Sequence, residues 1–344
     1  LLLPEYVPIS EETALWYARL LVNATAFCSI MEGRKRQAEI LEAIAQNYPG
    51  NVNIVEALAR GLVNLSIKQD EQGVSETVNR LERLTDEYPG VLDIAIAYAM
   101  SLVNLSNTQD EQRAAKTVKR LERLTEEHSD VPDIAIEFAK GLFNLSYKQD
   151  EQGASETIQR LERLTDEYSG VQDIAIEFAK GLFNLSCDQD EQGASETIQR
   201  LERLTDEYSD VQDIATEFAS SLANLSAKQD EQGASETIQR LKCLTDEYPG
   251  VQDIAIAFAK GLFNLSCDQD EQGASETIQR LERLTDEYSD VQDIATEFAS
   301  SLANLSAKQD EQGASETIQR LKCLTDEYPG VQDIAIAFAK GLFN

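Results

Sequence analysis

The feature that most constrains this chain is a repetition of its own sequence. Residues 181–260 and 261–340 are identical letter for letter, and residues 341–344 begin the same sequence again. Within each copy, the two 40-residue halves differ at only a minority of positions. A fixed period of this length is typical of a repeat array, in which each repeat packs against its neighbours and chain length measures repeat number.

Each repeat contains two helical patterns, which we name A and B. In residues 171–185 the A pattern places six apolar residues on one arc: Ile174, Ala175, Phe178, Ala179, Leu182 and Leu185. The polar residues Asp173, Glu177, Lys180 and Asn184 fall opposite that arc. In residues 151–168 the B pattern carries a narrower stripe, made of Ala154, Ile158, Leu161, Leu164 and Tyr168. We therefore expect B to be the outer helix, with a solvated back.

These patterns predict an all-α fold, an α-solenoid of repeated antiparallel helix pairs with nine A and eight B helices. Residues 1–50 are expected to be a divergent N-terminal lead-in and capping helix pair, extended over 1–9 and capped at Ser10. Residues 51–344 are expected to continue it as tandem repeats of a single solenoid. The basic residues Arg34, Lys35 and Arg36 are interpreted as a solvated helix face.

The connections agree with helix pairs. Tyr-Pro-Gly, Tyr-Ser-Gly and Tyr-Ser-Asp turns end the B helices, and we expect Gly90, Gly170 or Asp210 to supply a left-handed backbone there. Gly181 lies inside an A helix, and its equivalent at position 221 is Ser. This substitution indicates a demand for a small residue at a close helix contact.

Composition excludes several classes of function. A net charge of -32 argues against binding to nucleic acid or to an anionic membrane surface, because both need basic protein surface. No run of 18 apolar residues is present to span a bilayer. The five cysteines show no CxxC spacing and no disulfide framework, which favours a reducing compartment and a cytoplasmic location. A protein or peptide partner is the class that remains.

Catalysis and cofactors are poorly supported by the sequence. The single histidine, His128, replaces the tyrosine of other repeats, and its neighbours do not form a catalytic triad. Residues 188–193 imitate the start of a calcium loop, but Gln199 stands where such a loop needs Glu. We interpret this segment as an acidic helix N-terminus instead. We expect no enzyme activity, no cofactor and no metal.

Six residues of one repeat carry a resemblance to a known family. Phe258 and Ala259 stand where the tetratricopeptide repeat (TPR) has Leu-Gly, and Leu262 stands where it has the following Tyr. Ala274, Ile278 and Pro249 match its second-helix alanine, the large residue four further on and its closing proline. The chain resembles this family over residues 11–344, although the family's Trp is absent and the repeat is about six residues longer than the usual 34. The resemblance implies a right-handed superhelix whose A helices line a concave, ligand-binding face. A HEAT-like solenoid is the alternative.

One feature of the A helix points to function. Alternating repeats differ there by four exchanges: Ile256 for Thr216, Ala257 for Glu217, Lys260 for Ser220 and Phe263 for Ala223. We expect all of these positions to face away from the core, on the surface that lines the groove. The predicted partner-binding residues are Lys140, Phe143, Asn144, Lys180, Phe183, Asn184, Lys260, Phe263 and Asn264.

The chemistry of the partner is left open by these residues. Phenylalanines and lysines suit a segment with apolar anchors and acidic groups, whereas the acidic groove rim suits a basic segment. The asparagine of each A helix either bonds an extended peptide or is satisfied locally.

Three classes of function follow from this reading. The first is an interaction scaffold, the second a sensor or spacer array of a larger signalling protein, and the third an enzyme. The chain lacks an initial Met and stops inside a repeat, so we expect a fragment. End-to-end self-association is a further expectation, because the last A helix leaves Phe343 uncovered.

Overall fold

The computed structural model describes residues 10–343, and every regular element in that range is an α-helix. The A helices are α1 (Glu11–Phe27), α3 (Val52–Ser66), α5 (Leu92–Thr108), α7 (Pro132–Ser146), α9 (Gln172–Asp188), α11 (Gln212–Ser226), α13 (Gln252–Asp268), α15 (Gln292–Ser306) and α17 (Gln332–Phe343). The B helices are α2 (Met31–Asn47), α4 (Glu71–Glu87), α6 (Glu111–Glu127), α8 (Glu151–Glu167), α10 (Glu191–Glu207), α12 (Glu231–Glu247), α14 (Glu271–Glu287) and α16 (Glu311–Glu327). Nine A and eight B helices confirm the prediction. The predicted extended lead-in, residues 1–9, lies outside the described residues.

Packing divides the chain into two units, residues 1–178 and 179–344, with the boundary inside α9. In unit 1, α5 contacts the B helices α4 and α6 and the A helices α3 and α7. In unit 2, α13 contacts α12, α14, α11 and α15 in the same way. Each unit is therefore an all-α solenoid of repeated antiparallel helix pairs, as predicted. The right-handed superhelix implied by the family resemblance stays a prediction.

The predicted core is confirmed. All six residues of the apolar arc on α9 are at most 4% exposed, and the B-helix residues Ile158 and Leu161 are fully buried. Burial of these side chains supplies the main stabilising free energy, about 1.5–3 kcal/mol for each large residue.

The prediction that Glu177 lies opposite the core is wrong. Glu177 and its equivalent Glu137 are each only 8% exposed. The physical reason is that an A helix is flanked by other A helices as well as by B helices, so its sides are covered too. In unit 1, Lys140 Nζ donates to Glu137 Oε1 at 2.7 Å, which gives that buried carboxylate a cation.

From α4 onward, the aspartate that precedes each B helix acts as its helix cap. Asp190 Oδ1 accepts a hydrogen bond from Gly193 N at 2.9 Å, and the helix starts at the next residue, Glu191. The same cap recurs at Asp70, Asp110, Asp150, Asp230, Asp270 and Asp310. This confirms the interpretation of residues 188–193 as an acidic helix N-terminus. Ser10 caps α1 by accepting from Thr13 N at 3.2 Å, also as predicted.

The turns after the B helices differ in backbone. Val91 N donates to Tyr88 O at 3.3 Å, and Gly90 takes a positive φ of 85° inside this four-residue turn, as does Gly170 at 87°. Asp210 was expected to do the same, and that prediction is wrong, because no described residue other than glycine has a positive φ. The Tyr208–Val211 turn closes with the same bond at 2.9 Å. A type I turn needs no left-handed residue, so aspartate fits without strain.

The small residue inside the A helix is explained by contact with the preceding B helix. A Cβ added to Gly261 would lie 2.4 Å from Ile238 Cδ1 and 2.8 Å from Leu241 Cδ1. Neither distance is tolerable, so the neighbours must shift where Ser replaces Gly. The predicted demand for a small residue is confirmed.

Arg34 was interpreted as part of a solvated face, and this is wrong. The side chain is only 7% exposed. Its guanidinium donates to three backbone carbonyls: Cys28 O at 2.6 Å, Asn64 O at 2.7 Å and Ala26 O at 3.1 Å. A cation at the end of a helix satisfies carbonyls that have no partner within the helix. Arg34 thus ties α1 and α3 together from α2, while Lys35 and Arg36 are exposed as expected.

Candidate functional site

The candidate site is the surface of the A helices that lies away from the B helices, which we name the A face. On α5 it consists of Leu92, Ile96, Met100 and Val103, followed by Asn107 beside the end of the helix. These positions recur at steps of four, four, three and four residues, which places them on one side of the helix. None of the five is buried, whereas the α5 residues facing the B helices are.

The A face of unit 1 exposes large apolar side chains on three neighbouring helices. Leu92 and Met100 lie on α5, while Val52, Ile67 and Tyr147 hold the equivalent outer positions of α3 and α7. These five side chains are between 39% and 76% exposed. Because α5 packs against both α3 and α7, they belong to one surface. A group of exposed apolar side chains on one surface marks a candidate interaction site.

All nine residues predicted to bind a partner lie on A helices. Lys140, Phe143 and Asn144 come together on α7, and each is half-buried. On α9, Lys180, Phe183 and Asn184 are likewise half-buried. On α13, Lys260 is exposed, whereas Phe263 and Asn264 are half-buried. Their role in binding stays a prediction.

The exchanges between alternating repeats do not all face away from the core. Ala257 and Ala223 are each only 3% exposed. That part of the prediction is wrong, because these two positions lie on the flanks of the A helix and are covered by its neighbours. Lys260, Ser220, Ile256 and Thr216 do lie on accessible surface.

The asparagines of α3, α5, α7, α11, α13 and α15 are partnered within the solenoid. Asn104 Nδ2 donates to Ser66 Oγ at 2.8 Å, and Asn264 Nδ2 donates to Ala223 O at 3.1 Å and Ser226 Oγ at 3.2 Å. Asn224 Nδ2 reaches Cys187 Sγ at 3.2 Å. These bonds join one A helix to the preceding one, which is the local satisfaction that we weighed against peptide binding. Each of these amide groups therefore has at least one of its two N–H donors engaged within the solenoid.

The lysines of the A face are also engaged. Lys140 is paired with Glu137. On α15, burial raises the pKa of Glu297, and the nearby Lys260 ammonium opposes that shift. A cation that already balances a neighbouring carboxylate attracts an acidic partner less than a free one.

The opposite surface, formed by the backs of the B helices, is polar, and ion pairs and hydrogen bonds join its repeats. Ion pairs join successive B helices: Arg80–Glu42 at 2.6 Å, Arg120–Glu82 at 3.1 Å, Arg160–Glu122 at 2.9 Å, Arg240–Glu202 at 2.9 Å and Arg320–Glu282 at 3.1 Å. Tyrosines at the ends of B helices add bonds between repeats, for example Tyr248 OH to Ser209 O at 2.8 Å. This surface is built to connect repeats and offers no large exposed apolar side chain among the described residues.

Chemistry beyond binding finds little support in the geometry. A cleft of about 340 Å³ between α10 and α12 contains Cys243 beside Phe218, and it recurs with about 310 Å³ at Cys323. Both thiols are exposed. Across residues 10–343, no group of three or more His, Cys, Asp or Glu side chains is arranged to hold a metal ion. His128 makes no side-chain hydrogen bond within the same range.

Sequence reasoning missed Leu92, Met100, Tyr147 and Ile67. The signal was present, because Met100 stands at the position of Lys140 and Lys260, and Tyr147 at the position of Cys187. The comparison of repeats was confined to the identical copies in residues 181–340, where these positions hold polar or small residues.

Comparisons with known proteins leave the family open. A scan against protein-family models finds no match, and a search of curated proteins finds none. The chain is similar to a solved structure described as "A conserved phosphorylation switch controls the interaction between cadherin and beta-catenin in vitro and in vivo", with a TM-score of 0.45 and 14% identity. That match covers 97% of this chain and 73% of the other. A TM-score at this level carries no argument about function.

The helices were also examined as membrane spans. Between residues 10 and 343, none is both long and apolar enough to cross a bilayer.

Proposed function

We propose that this chain is an interaction scaffold that binds a protein or peptide segment along the A face. The observation that carries the proposal is the group of exposed apolar side chains on α3, α5 and α7. Such side chains can serve as anchors, because burying one against a partner contributes about 1.5–3 kcal/mol. The TPR-like concave face, the right-handed superhelix and the cytoplasmic location belong to the proposal and rest on the residues quoted above. A HEAT-like solenoid would offer the same face.

The partner segment in this proposal carries apolar anchors and basic residues. Lys140 is neutralised by Glu137, and Arg60 pairs with Asp93 at 3.0 Å. Asp133 and Asp253, at the starts of their A helices, are exposed. Together with the net charge of -32, these contacts favour a basic segment over the acidic one that the lysines suggested.

The nine predicted residues keep a supporting role in this proposal. Phe143 and Lys140 adjoin the apolar group on α7, while the α9 and α13 clusters are further candidate contacts within unit 2. The exposed patch favours a scaffold over a plain spacer array, which needs no apolar surface. End-to-end association stays a prediction.

The test uses a library of random peptides displayed on phage, selected against the purified chain. The informative variant combines Leu92→Gln, Met100→Ser and Tyr147→Ala, which are the residues that α11 carries at these positions (Gln212, Ser220 and Ala227). We expect the selected peptides to contain spaced apolar residues with Lys or Arg. Their affinity for the variant should fall by about tenfold or more.

The matched control changes three exposed residues on the back of α6: Lys119→Ser, Arg123→Ala and Glu126→Gln. It should bind the selected peptides as the unmodified chain does. Peptides that bind the A-face variant undiminished would place the site elsewhere and contradict the proposal. Acidic peptides that depend on Lys260 and Phe263 would contradict the basic partner but retain the A face.

A further inference from the structure

The contacts between neighbouring repeats in unit 2 are of two kinds, and they alternate. We compare three junctions: I joins α9–α10 to α11–α12, II joins α11–α12 to α13–α14, and III joins α13–α14 to α15–α16. Junctions I and III are built from repeats of almost identical sequence in the same order, whereas II joins them in the reverse order. Junction I comprises here the contacts of residues 179 onward, since unit 2 begins inside α9.

Junctions I and III share a lysine that ties two A helices together. At junction III, Lys308 Nζ donates to Ser266 O at 3.0 Å, Cys267 O at 2.9 Å and Gln269 O at 2.6 Å. At junction I, Lys228 makes the same three bonds to the equivalent carbonyls. The lysine supplies donors and a positive charge to the end of the preceding A helix, where carbonyls lack helical partners.

Junction II has no such lysine. The equivalent residue is Asp268, a carboxylate that cannot donate to carbonyls. The side-chain bonds that cross this junction are those of Asn264 to α11 and a long one, from Gly250 N to Tyr288 OH at 3.4 Å. At junction II the side-chain bonds between the A helices α11 and α13 are therefore those of one asparagine, Asn264. Junction III has the three bonds of Lys308 between its A helices.

The outer surface shows the same alternation. Arg240 pairs with Glu202 across junction I, and Arg320 pairs with Glu282 across junction III. At junction II the corresponding arginine is Arg280, but the position equivalent to Glu202 is occupied by Lys242. Arg280 has no ion pair in the described part of the chain and lies over the Phe258 ring at 5.8 Å. Burial without a carboxylate partner lowers the pKa of Arg280.

The remaining contact at junction II is apolar. Ala257 is 3% exposed there, at the position that Glu297 holds beside Lys260 in junction III. Apolar contact stabilises in proportion to buried area and has little directional preference. Directional hydrogen bonds and ion pairs resist sliding, whereas apolar surfaces tolerate it.

We infer that junction II is where unit 2 opens first, with α11–α12 and α13–α14 parting or sliding while junctions I and III stay closed. The folding unit of this region is then the 80-residue pair of repeats rather than the single repeat. A junction held mainly by apolar contact, between pairs joined by polar bonds, would let the A face change its length without breaking helices. This inference stands independently of what the A face binds.

The test is limited digestion of the whole chain with a glutamate-specific protease, followed by the masses of the intact fragments. Each junction contains the same Asp-Glu-Tyr sequence at Glu207, Glu247 and Glu287, which Pro-Gly follows at junction II and Ser-Asp at the other two. Fragment length separates copies that are identical in sequence, because cleavage after Glu247 leaves pieces of 247 and 97 residues. Among these three sites, we expect cleavage after Glu247 to be the fastest, because cleavage of a transiently opened state follows its population.

The decisive variant is Lys242→Glu. It places a carboxylate beside Arg280, at the position that Glu282 holds beside Arg320. It should slow cleavage after Glu247 by about two- to fivefold, the range that an exposed ion pair provides. The matched control is Lys322→Glu in the identical helix α16, which is followed by no B helix in residues 328–343. The control should leave cleavage after Glu247 unchanged.

Two results would overturn the inference. One is cleavage after Glu247 that is no faster than cleavage after Glu207 and Glu287. The other is a Lys242→Glu variant that keeps its helix content by circular dichroism and is cut after Glu247 at the original rate. Lys242→Gln separates the new pair from loss of the Lys242–Asp246 contact at 2.5 Å, and it should not slow cleavage.

Discussion

Units 1 and 2 each have a core of the same kind, but they present different surfaces. In both, the B-helix leucine is fully buried, as Leu121 in unit 1 and Leu241 in unit 2. On the A face, unit 1 exposes Leu92 and Met100, whereas none of the large apolar side chains between residues 179 and 331 is exposed. The fold therefore does not need these apolar residues outside, since unit 2 forms the same helix pairs without them. Residues that the fold does not require are the ones to examine for function.

The largest expected effect tests the shared half of this comparison. Leu121→Ala and Leu241→Ala each remove a fully buried side chain, and each should lower the free energy of unfolding of its unit by about 2–5 kcal/mol. Chemical denaturation followed by circular dichroism measures both. Losses that differ by more than the spread of that range would show that the two cores are not equivalent.

An intermediate effect sharpens the comparison at the ends of A helices. Arg34 in unit 1 and Lys308 in unit 2 each bond three carbonyls, but Arg34 is buried and Lys308 only half-buried. Arg34→Met should cost about 2–3 kcal/mol, because it leaves buried carbonyls without donors. Lys308→Met should cost about 1 kcal/mol, because water can replace its bonds. Equal losses in denaturation would mean that burial does not set the difference.

The smallest effect concerns a tyrosine found at the phenylalanine position of other repeats. Tyr98 OH donates to Glu82 Oε1 at 3.1 Å and accepts from Arg120 Nη2 at 2.8 Å. Tyr98→Phe converts this site to the form that unit 2 has at Phe258, and it should cost about 1 kcal/mol near neutral pH. Denaturation at pH 7 measures that loss.

The same tyrosine predicts a dependence on pH. Burial raises the pKa of Tyr98 from 10.0 to about 12, with Arg120 opposing and Glu82 assisting the shift. The folded chain thus holds this proton more tightly than the unfolded one. Its contribution to stability is complete below pH 10 and is lost as the pH rises from 10 to about 12. The unmodified chain should lose stability more steeply across that window than Tyr98→Phe, and parallel curves would contradict this.

Much of the fold could be predicted because the period repeats its evidence in every copy. Helix number, the apolar arc of α9, the capping of α1 and the demand for a small residue at Gly261 all follow from local pattern and spacing. The environment on the flanks of an A helix does not, because it depends on neighbours 40 residues away. Glu177 and Ala257 were misplaced for that reason. Arg34 was misplaced because its burial depends on backbone carbonyls at the ends of two other helices.

The candidate site was predicted less completely. That the site lies on the A helices stays a prediction, and within them the identical copies drew attention to Phe263 and Lys260. The most exposed of the five apolar side chains on the A face of unit 1 are Tyr147 and Ile67. They lie in the divergent repeats, whose sequences are not duplicated elsewhere in the chain. Pairing of Lys140 with Glu137 also required three-dimensional knowledge, because it depends on burial of the carboxylate.

The central claim is that the apolar A face of unit 1 provides binding that unit 2 lacks. The most direct measurement is the affinity of one selected peptide, by calorimetry, for the chain and for two variants. In the first, Leu92→Gln, Met100→Ser and Tyr147→Ala give α5 and α7 the residues of unit 2. In the second, these changes are combined with Gln212→Leu, Ser220→Met and Ala227→Tyr, which transfer the apolar residues to α11. The account predicts that the first variant loses about tenfold or more in affinity and that the second regains part of it. Equal affinity for the chain and the first variant would contradict it.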